Sequence, residues 1–274
     1  MRNLAEIRTE IDKINEALLN LLNQRARLAL EVGAAKQKAG AEKADYYRPE
    51  RELGIINDLI EKNPGPLRDA HIKHIFQAIM ASSLALQQPL RVAYLGPLGS
   101  ESHLALQFNF GLEVEAVAEE TVPAALQVLE EDQVEFAVLP LEHLHQGYVV
   151  ATLEGLIHSS LRVVGEIIFK EARFLILGKT KIQRTGRDKT ALLISNLPNE
   201  AGALFRLLEP FQRHHLNISM PVLRPAQKKA WNYVFFLEVE GHEDDAPMQA
   251  ALNDLRQFVQ IKVLGSYPLI ASLA

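Results

Sequence analysis

The chain contains no cysteine among its 274 residues. That excludes disulfides, thiol nucleophiles and zinc–thiolate centres, and it suits the reducing cytoplasm, where we expect the protein to act. Long apolar runs are missing too. None approaches the roughly 18 residues of a membrane-spanning helix, and the opening MRNLAEIRTE lacks the apolar stretch of a secretory signal. Neither export nor a membrane partner is expected. There is no basic excess either: 29 Lys+Arg stand against 34 Asp+Glu, a net charge of -5. Residues 1–90 carry 13 basic against 12 acidic side chains, residues 91–180 carry 5 against 13, and residues 181–274 carry 11 against 9. No segment is placed to neutralise a row of phosphates, so nucleic acid is not an expected partner. What remains is 48% hydrophobic residues with 23% charged, enough apolar material for real cores. The length exceeds a common domain of about 100–150 residues, so two or three compact units are expected.

Apolar or small residues recur at Leu4, Ile7, Ile11, Ile14, Leu18, Leu21, Leu28, Val32 and Ala35 in steps of mostly three and four, a helical seam. Gly40 offers its stop, which allows a helix about 50 Å long. A domain of some 90 residues spans only about 25–30 Å, so that seam requires a partner chain to cover it. A second helix is predicted over 49–62, opening on Pro49. A third, over 68–88, carries Ile72, Ile75, Phe76, Ile79 and Leu84 until Pro89 ends it. Residues 1–89 are expected to form an all-α, three-helix domain.

From Leu90 the pattern alternates strand and helix: RVAYLG, a helical stretch, LEVEAVAE, TVPAALQVLEED, FAVLPL, a helix over 149–158, then LRVVGEII and RFLILG. This predicts an α/β lobe over 90–180 with a parallel, Rossmann-like sheet. After the polar linker KTKIQRTGRDK, residues 188–274 alternate as βαββαβ, the ferredoxin-like α+β arrangement.

Arg25 interrupts the apolar seam, and a cation there needs an anion. Lys36, eleven residues on, returns to within about 20° of the same face. The two flank a small-residue floor at Ala29 and Val32. On spacing alone Arg25 either pairs with a neighbouring carboxylate, reaches past the seam to water, or lines a groove for a small dianion. Ser83 and Gln87 share a face at i, i+4. Arg51-Glu52 at the head of the second helix reads equally as a solvated pair.

The segments IRTEIDKINEALLNLLNQRARLALEVGAAK, RPERE and SSLALQQP together resemble the helical chorismate mutase domain of the bacterial P-proteins, which are fused chorismate mutase–prephenate dehydratases. That resemblance implies an entwined homodimer and a cofactor-free, metal-free rearrangement of chorismate to prephenate. It implies that Arg25, Arg51 and a partner chain's Arg8 grip carboxylates. By the same resemblance Glu52 takes the hydroxyl, Lys36 and Gln87 address the ether oxygen, and Ser83 supports. No contact is assigned to Arg48, which lies after a short insertion.

Further on, RVAYLGPLGSESHLA is similar to the opening of a prephenate dehydratase domain, with Ser100 and Glu101 in place of Thr and Phe. VLPLEHLHQGYV resembles its Glu-Asn-Ser motif, with His143 and Leu144 substituted. ARFLILG resembles the Thr-Arg-Phe motif, with Ala172 where the catalytic Thr belongs. GEIIF runs almost directly into ARFLILG, where the family inserts a second lobe. The last segment resembles an ACT domain. Gly202-Ala203-Leu204 matches its effector element, while Val222-Leu223-Arg224-Pro225 keeps only half of Glu-Ser-Arg-Pro. The expectation is a chorismate mutase in phenylalanine and tyrosine biosynthesis, with dehydratase activity lost and an aromatic amino acid as the possible effector. A regulatory scaffold that only binds, and a bifunctional enzyme completed by its partner chain, are the alternatives.

Overall fold

The structure, a computed structural model, describes residues 2–225 and 233–269. The predicted strand start at Trp231 and the end of the 188–274 domain beyond 269 lie outside the described residues.

Helix α1 runs Leu4–Lys38, 35 residues, and opens on a capping box in which Asn3 and Glu6 satisfy each other's backbone N–H. A 3₁₀ turn, Lys43–Tyr46, leads to α2 (Pro49–Glu61) and α3 (Asp69–Gln87). Helix α3 packs on both. Gly33 permits the close approach to α1, because a Cβ there would stand 3.2 Å from the Gln87 Cα. Only Ala29 and Gly33 of α1 are buried. The seam residues face solvent in the single chain, Leu4 at 63%, Leu18 at 51% and Leu28 at 61%. Ile75 of the predicted α3 stripe is also exposed.

The middle lobe contains β1 (Arg91–Leu95), α4 (Glu101–Phe110), β2 (Glu115–Glu119), α5 (Val122–Glu130), β3 (Phe136–His143), β4 (Gly147–Tyr148), α6 (Val150–His158), β5 (Arg162–Phe169) and β6 (Ala172–Gly178). Its sheet order is β2-β1-β3-β6-β5, with β4 on β3. The expectation of a parallel sheet is corrected here. β1 pairs in parallel with β2 and β3, whereas β6 lies antiparallel to both β3 and β5. The reason is the β5–β6 connection: it leaves two residues between the strands, Lys170 at φ 52 and Glu171, and so short a link can only make a hairpin.

The third unit is β7 (Asp188–Ser195), α7 (Ala203–Arg213), β8 (Ile218–Pro225), β9 (Tyr233–Glu240), α8 (Ala246–Leu255) and β10 (Gln260–Pro268). Its antiparallel sheet has the order β10-β7-β9-β8. Leu192, Ile194, Leu237 and Val239 on one face meet Leu207, Phe211, Met248 and Leu252 of the two helices. The other face presents Phe236, Leu264 and Tyr267 to a core shared with the middle lobe and with Tyr46, Tyr47 and Leu84 of the helical unit. Gly265 sits at φ 148, where a Cβ would fall 2.2 Å from the Val163 carbonyl oxygen. Only glycine lets β10 come that near β5.

A buried ionic cluster crosses the same junction. Lys189 reaches Glu166 at 2.7 Å and Glu238 at 3.3 Å. Arg173 reaches Glu142, Glu166 and Glu238 at 3.1, 3.0 and 2.8 Å. The Tyr267 hydroxyl donates to Glu238 at 2.6 Å. Burial opposes ionisation of Glu238, but Lys189 and Arg173 outweigh it and hold the carboxyl below its ordinary range. Lys262 of β10 donates to the carbonyls of Leu156, Ile157 and Ser159, closing the C-terminal end of α6.

Candidate active site

A cavity of about 740 Å³ opens among α1, α2 and α3. From α1 come Arg25, Lys36 and the floor residues Leu28, Ala29 and Val32; from the head of α2, Arg51 and Glu52; from α3, Ser83 and Gln87. Six of the seven residues predicted for substrate thus meet around one space. The seventh, Arg8, is exposed on α1, about 25 Å along the helix from Arg25, and does not line this cavity.

The i, i+4 spacing puts Ser83 and Gln87 on one side of α3, where the Gln87 amide donates to the Ser83 carbonyl at 3.2 Å. Arg25 donates to the Ser83 hydroxyl, which donates in turn to the Ile79 carbonyl at 2.7 Å. The seam cation is therefore held by a neutral hydroxyl, and its charge remains available to a ligand. Lys36 donates to the Asp45 carbonyl at 3.1 Å, with its ammonium 4.9 Å from the centre of the Tyr46 ring. Tyr46 is fixed by its own bond to the Gly33 carbonyl at 3.2 Å. Burial, then the nearby Arg48 and Arg51, lower the Lys36 ammonium from its ordinary range. Burial, with Glu50 alongside, pushes the Glu52 carboxyl up to about 7, and Arg25 only partly opposes the rise.

Arg48, left without a contact in the sequence reading, also lines the cavity, bracing against the Asp45 carbonyl at 3.2 Å and Glu50 at 3.6 Å. Gln183, Arg184 and Thr185 line it as well. Nothing in the sequence marks these three, since they come from a linker more than 90 residues beyond α3. Among the residues that line the cavity the cations Arg25, Lys36, Arg48, Arg51 and Arg184 outnumber the carboxylates Glu50 and Glu52, a field that concentrates small dianions.

The degraded motifs of the middle lobe lie elsewhere. Ser100 caps α4 by accepting from the His103 N–H at 3.3 Å. His143 stands 3.7 Å from Glu101, and Ala172 is buried in β6. In the third unit Gly202 is the left-handed residue before α7, at φ 81. Ala203 is buried and Leu204 exposed.

A helical domain with a cationic cavity, an α/β lobe and a ferredoxin-like domain define a three-module chain, and comparison with known proteins gives each module a family. The chorismate mutase type II family matches residues 7–88, the prephenate dehydratase family residues 92–187 and the ACT domain residues 190–257. The chain carries the mutase, dehydratase and ACT families in that order, which is the domain arrangement of the P-proteins. The bifunctional chorismate mutase/prephenate dehydratase of Aquifex aeolicus is 28% identical, with 98% of each chain covered. That of Stutzerimonas stutzeri is 29% identical, with 97% of each covered. The Aquifex comparison extends over 360 positions against 274 residues here, so many positions of that relative have no counterpart in this chain. Among solved structures, prephenate dehydratase from Streptococcus mutans is 28% identical with a TM-score of 0.57, over 65% of this chain and 97% of its own. Prephenate dehydratase from Arthrobacter aurescens, solved with L-Phe, shares the fold at 18% identity and a TM-score of 0.60, over 68% of this chain and 93% of its own. Among the described residues no helix is long and apolar enough to cross a membrane.

Proposed function

We propose that this protein is a chorismate mutase that works as a homodimer in aromatic amino acid biosynthesis, and that its middle lobe has lost dehydratase activity. The observation that carries the reading is the convergence of Arg25, Lys36, Arg51, Glu52, Ser83 and Gln87 on one cavity. In chorismate a C–C bond forms while an ether C–O bond breaks, all within one molecule, so no nucleophile and no proton transfer are needed. The site must instead hold the folded conformer and stabilise negative charge growing on the ether oxygen. Arg25 and Arg51 bind the carboxylates, with Arg8 supplied by a second copy. Glu52, as a carboxylate, accepts from the substrate hydroxyl. Lys36 and Gln87 donate to the ether oxygen, and Ser83 keeps Arg25 aimed.

Homodimer formation is supported by the exposed seam of α1. Loss of dehydratase activity is supported by three features of the lobe. Alanine stands at 172, where the family's Thr would assist the loss of water. Arg173 beside it is engaged by three carboxylates. The β5–β6 hairpin occupies the point at which a second lobe would be inserted. Prephenate, a dianion, is also repelled by a segment carrying 5 basic against 13 acidic side chains.

The match of residues 92–187 to the dehydratase family favours a second, bifunctional reading. Steady-state assays of the purified chain, first with chorismate and then with prephenate, separate the two. We expect prephenate from chorismate and no phenylpyruvate above a no-enzyme control. Phenylpyruvate formed in proportion to protein overturns the loss, and a chain inert toward chorismate leaves only the binding scaffold.

A further inference from the structure

The cavity is completed from outside the helical domain. Gln183, Arg184 and Thr185, in the linker between β6 and β7, line it together with the residues of α1, α2 and α3. The linker is held by the ACT domain. Asp188, buried at the start of β7, accepts from the Thr185 N–H at 2.9 Å, the Thr185 hydroxyl at 2.6 Å and the Gly186 N–H at 3.1 Å. Lys181 pairs with Asp244 at 2.6 Å, and Arg184 pairs with Asp245 at 2.7 Å. Asp245 immediately precedes α8, and its other oxygen accepts from the His242 N–H at 2.8 Å. Arg184 is therefore a cation at the cavity that pairs with a carboxylate of a different domain.

We propose that Arg184 is a further substrate-binding residue of the mutase and that its exchange between Asp245 and the substrate carboxylate couples the mutase cavity to the ACT domain. This rests on the mutase reading above. A guanidinium offers five N–H donors in a planar fork, so one carboxylate can be traded for another, or both held, without deprotonation. With the Arg184 side chain 58% exposed, little desolvation opposes the exchange. Because the linkage is reciprocal, substrate that draws Arg184 away loosens the hold on Asp245, and whatever strengthens the Arg184–Asp245 pair weakens substrate binding.

The test measures KM and kcat for chorismate in the full chain and in Arg184→Gln, Arg184→Lys and Asp245→Asn. Arg184→Gln should raise KM about three- to fivefold with kcat within about twofold, the scale of one exposed charge pair. Arg184→Lys should recover part of the loss. Asp245→Asn frees the guanidinium and should lower KM, the opposite direction. A KM for Arg184→Gln equal to that of the parent overturns the proposal. So does an equal rise in KM for Arg184→Gln and Asp245→Asn, which would make the pair only a tether. If the parent does not turn chorismate over, the mutase reading has failed. Calorimetric titration with chorismate then decides for Arg184: weaker binding by Arg184→Gln supports it, and unchanged or absent binding overturns it.

Discussion

At the residue scale the site depends on two groups whose surroundings shift their protonation. Lys36 is held between a carbonyl oxygen and the Tyr46 ring, neither of which neutralises it, as its proposed role at the ether oxygen requires. Lys36→Ala should lower kcat/KM for chorismate by roughly 10²–10³-fold, the usual cost of removing one donor to a developing charge; activity within tenfold of the parent would refute the role. Glu52, raised to about 7, is half-protonated near neutrality in the free enzyme. Since the proposed acceptor is its carboxylate form, kcat/KM should rise with pH through an inflection near 7, and that inflection should vanish in Glu52→Gln. Stability runs the other way. The folded chain keeps a proton that the unfolded chain releases in the ordinary carboxylate range, so this group makes stability fall as pH climbs from there toward 7. Denaturant melts of the parent and Glu52→Gln at several pH values read that slope directly.

At the scale of elements, α1 carries the largest conflict between the single chain and solvent. Ile7, Ile11, Ile14, Leu18, Leu21 and Leu28 are each at least two-fifths exposed along one helix, and full burial of such a side chain is worth about 1.5–3 kcal/mol. In the proposed dimer a second copy laid along this stripe would both cover it and bring an Arg8 toward the other cavity. Leu18→Lys should therefore weaken the dimer at least tenfold by sedimentation equilibrium. Mutase activity should fall in step with the monomer fraction, because the monomer lacks one carboxylate grip. A variant that is fully monomeric and fully active would separate the seam from the site.

At the scale of the whole molecule, the three modules are not beads on a string. One apolar core reaches from Tyr46 and Leu84 through the middle lobe to Phe236 and Tyr267, and the Arg173–Glu166–Lys189–Glu238 cluster is satisfied only while lobe and ACT domain stay together. Breaking such a cluster at one member strands buried charge. The middle lobe therefore has a structural use independent of dehydration: it seats the ACT domain so that the linker reaches the mutase cavity. Effector binding is expected to be weak. Gly202 keeps a left-handed turn at the head of α7, the element that by family resemblance would bring the backbone near an amino acid. Val222 and Leu223, however, stand where the family's Glu and Ser would bind its polar groups. Calorimetry with phenylalanine should give a Kd no tighter than millimolar; micromolar affinity would overturn this.

The local pattern by itself determined α1 with its Gly40 stop, the two shorter helices that follow it and the βαββαβ order of the last domain. Helical spacing alone also puts Arg25 and Lys36 on one face of α1 and Ser83 and Gln87 on one face of α3. The joining of those pairs to Arg51 and Glu52 was legible only through family resemblance. Periodicity could not show the antiparallel turn of β6, since buried strands have the same apolar pattern whichever way they run and the hairpin is set by a two-residue link. Nor could it show that Arg48 and the 183–185 linker border the cavity. Tertiary structure decided those features, along with the meeting of Arg173 and Lys189 with Glu166 and Glu238, because each depends on chain segments far apart in sequence. A charged residue seen in sequence has no partner until the fold supplies one.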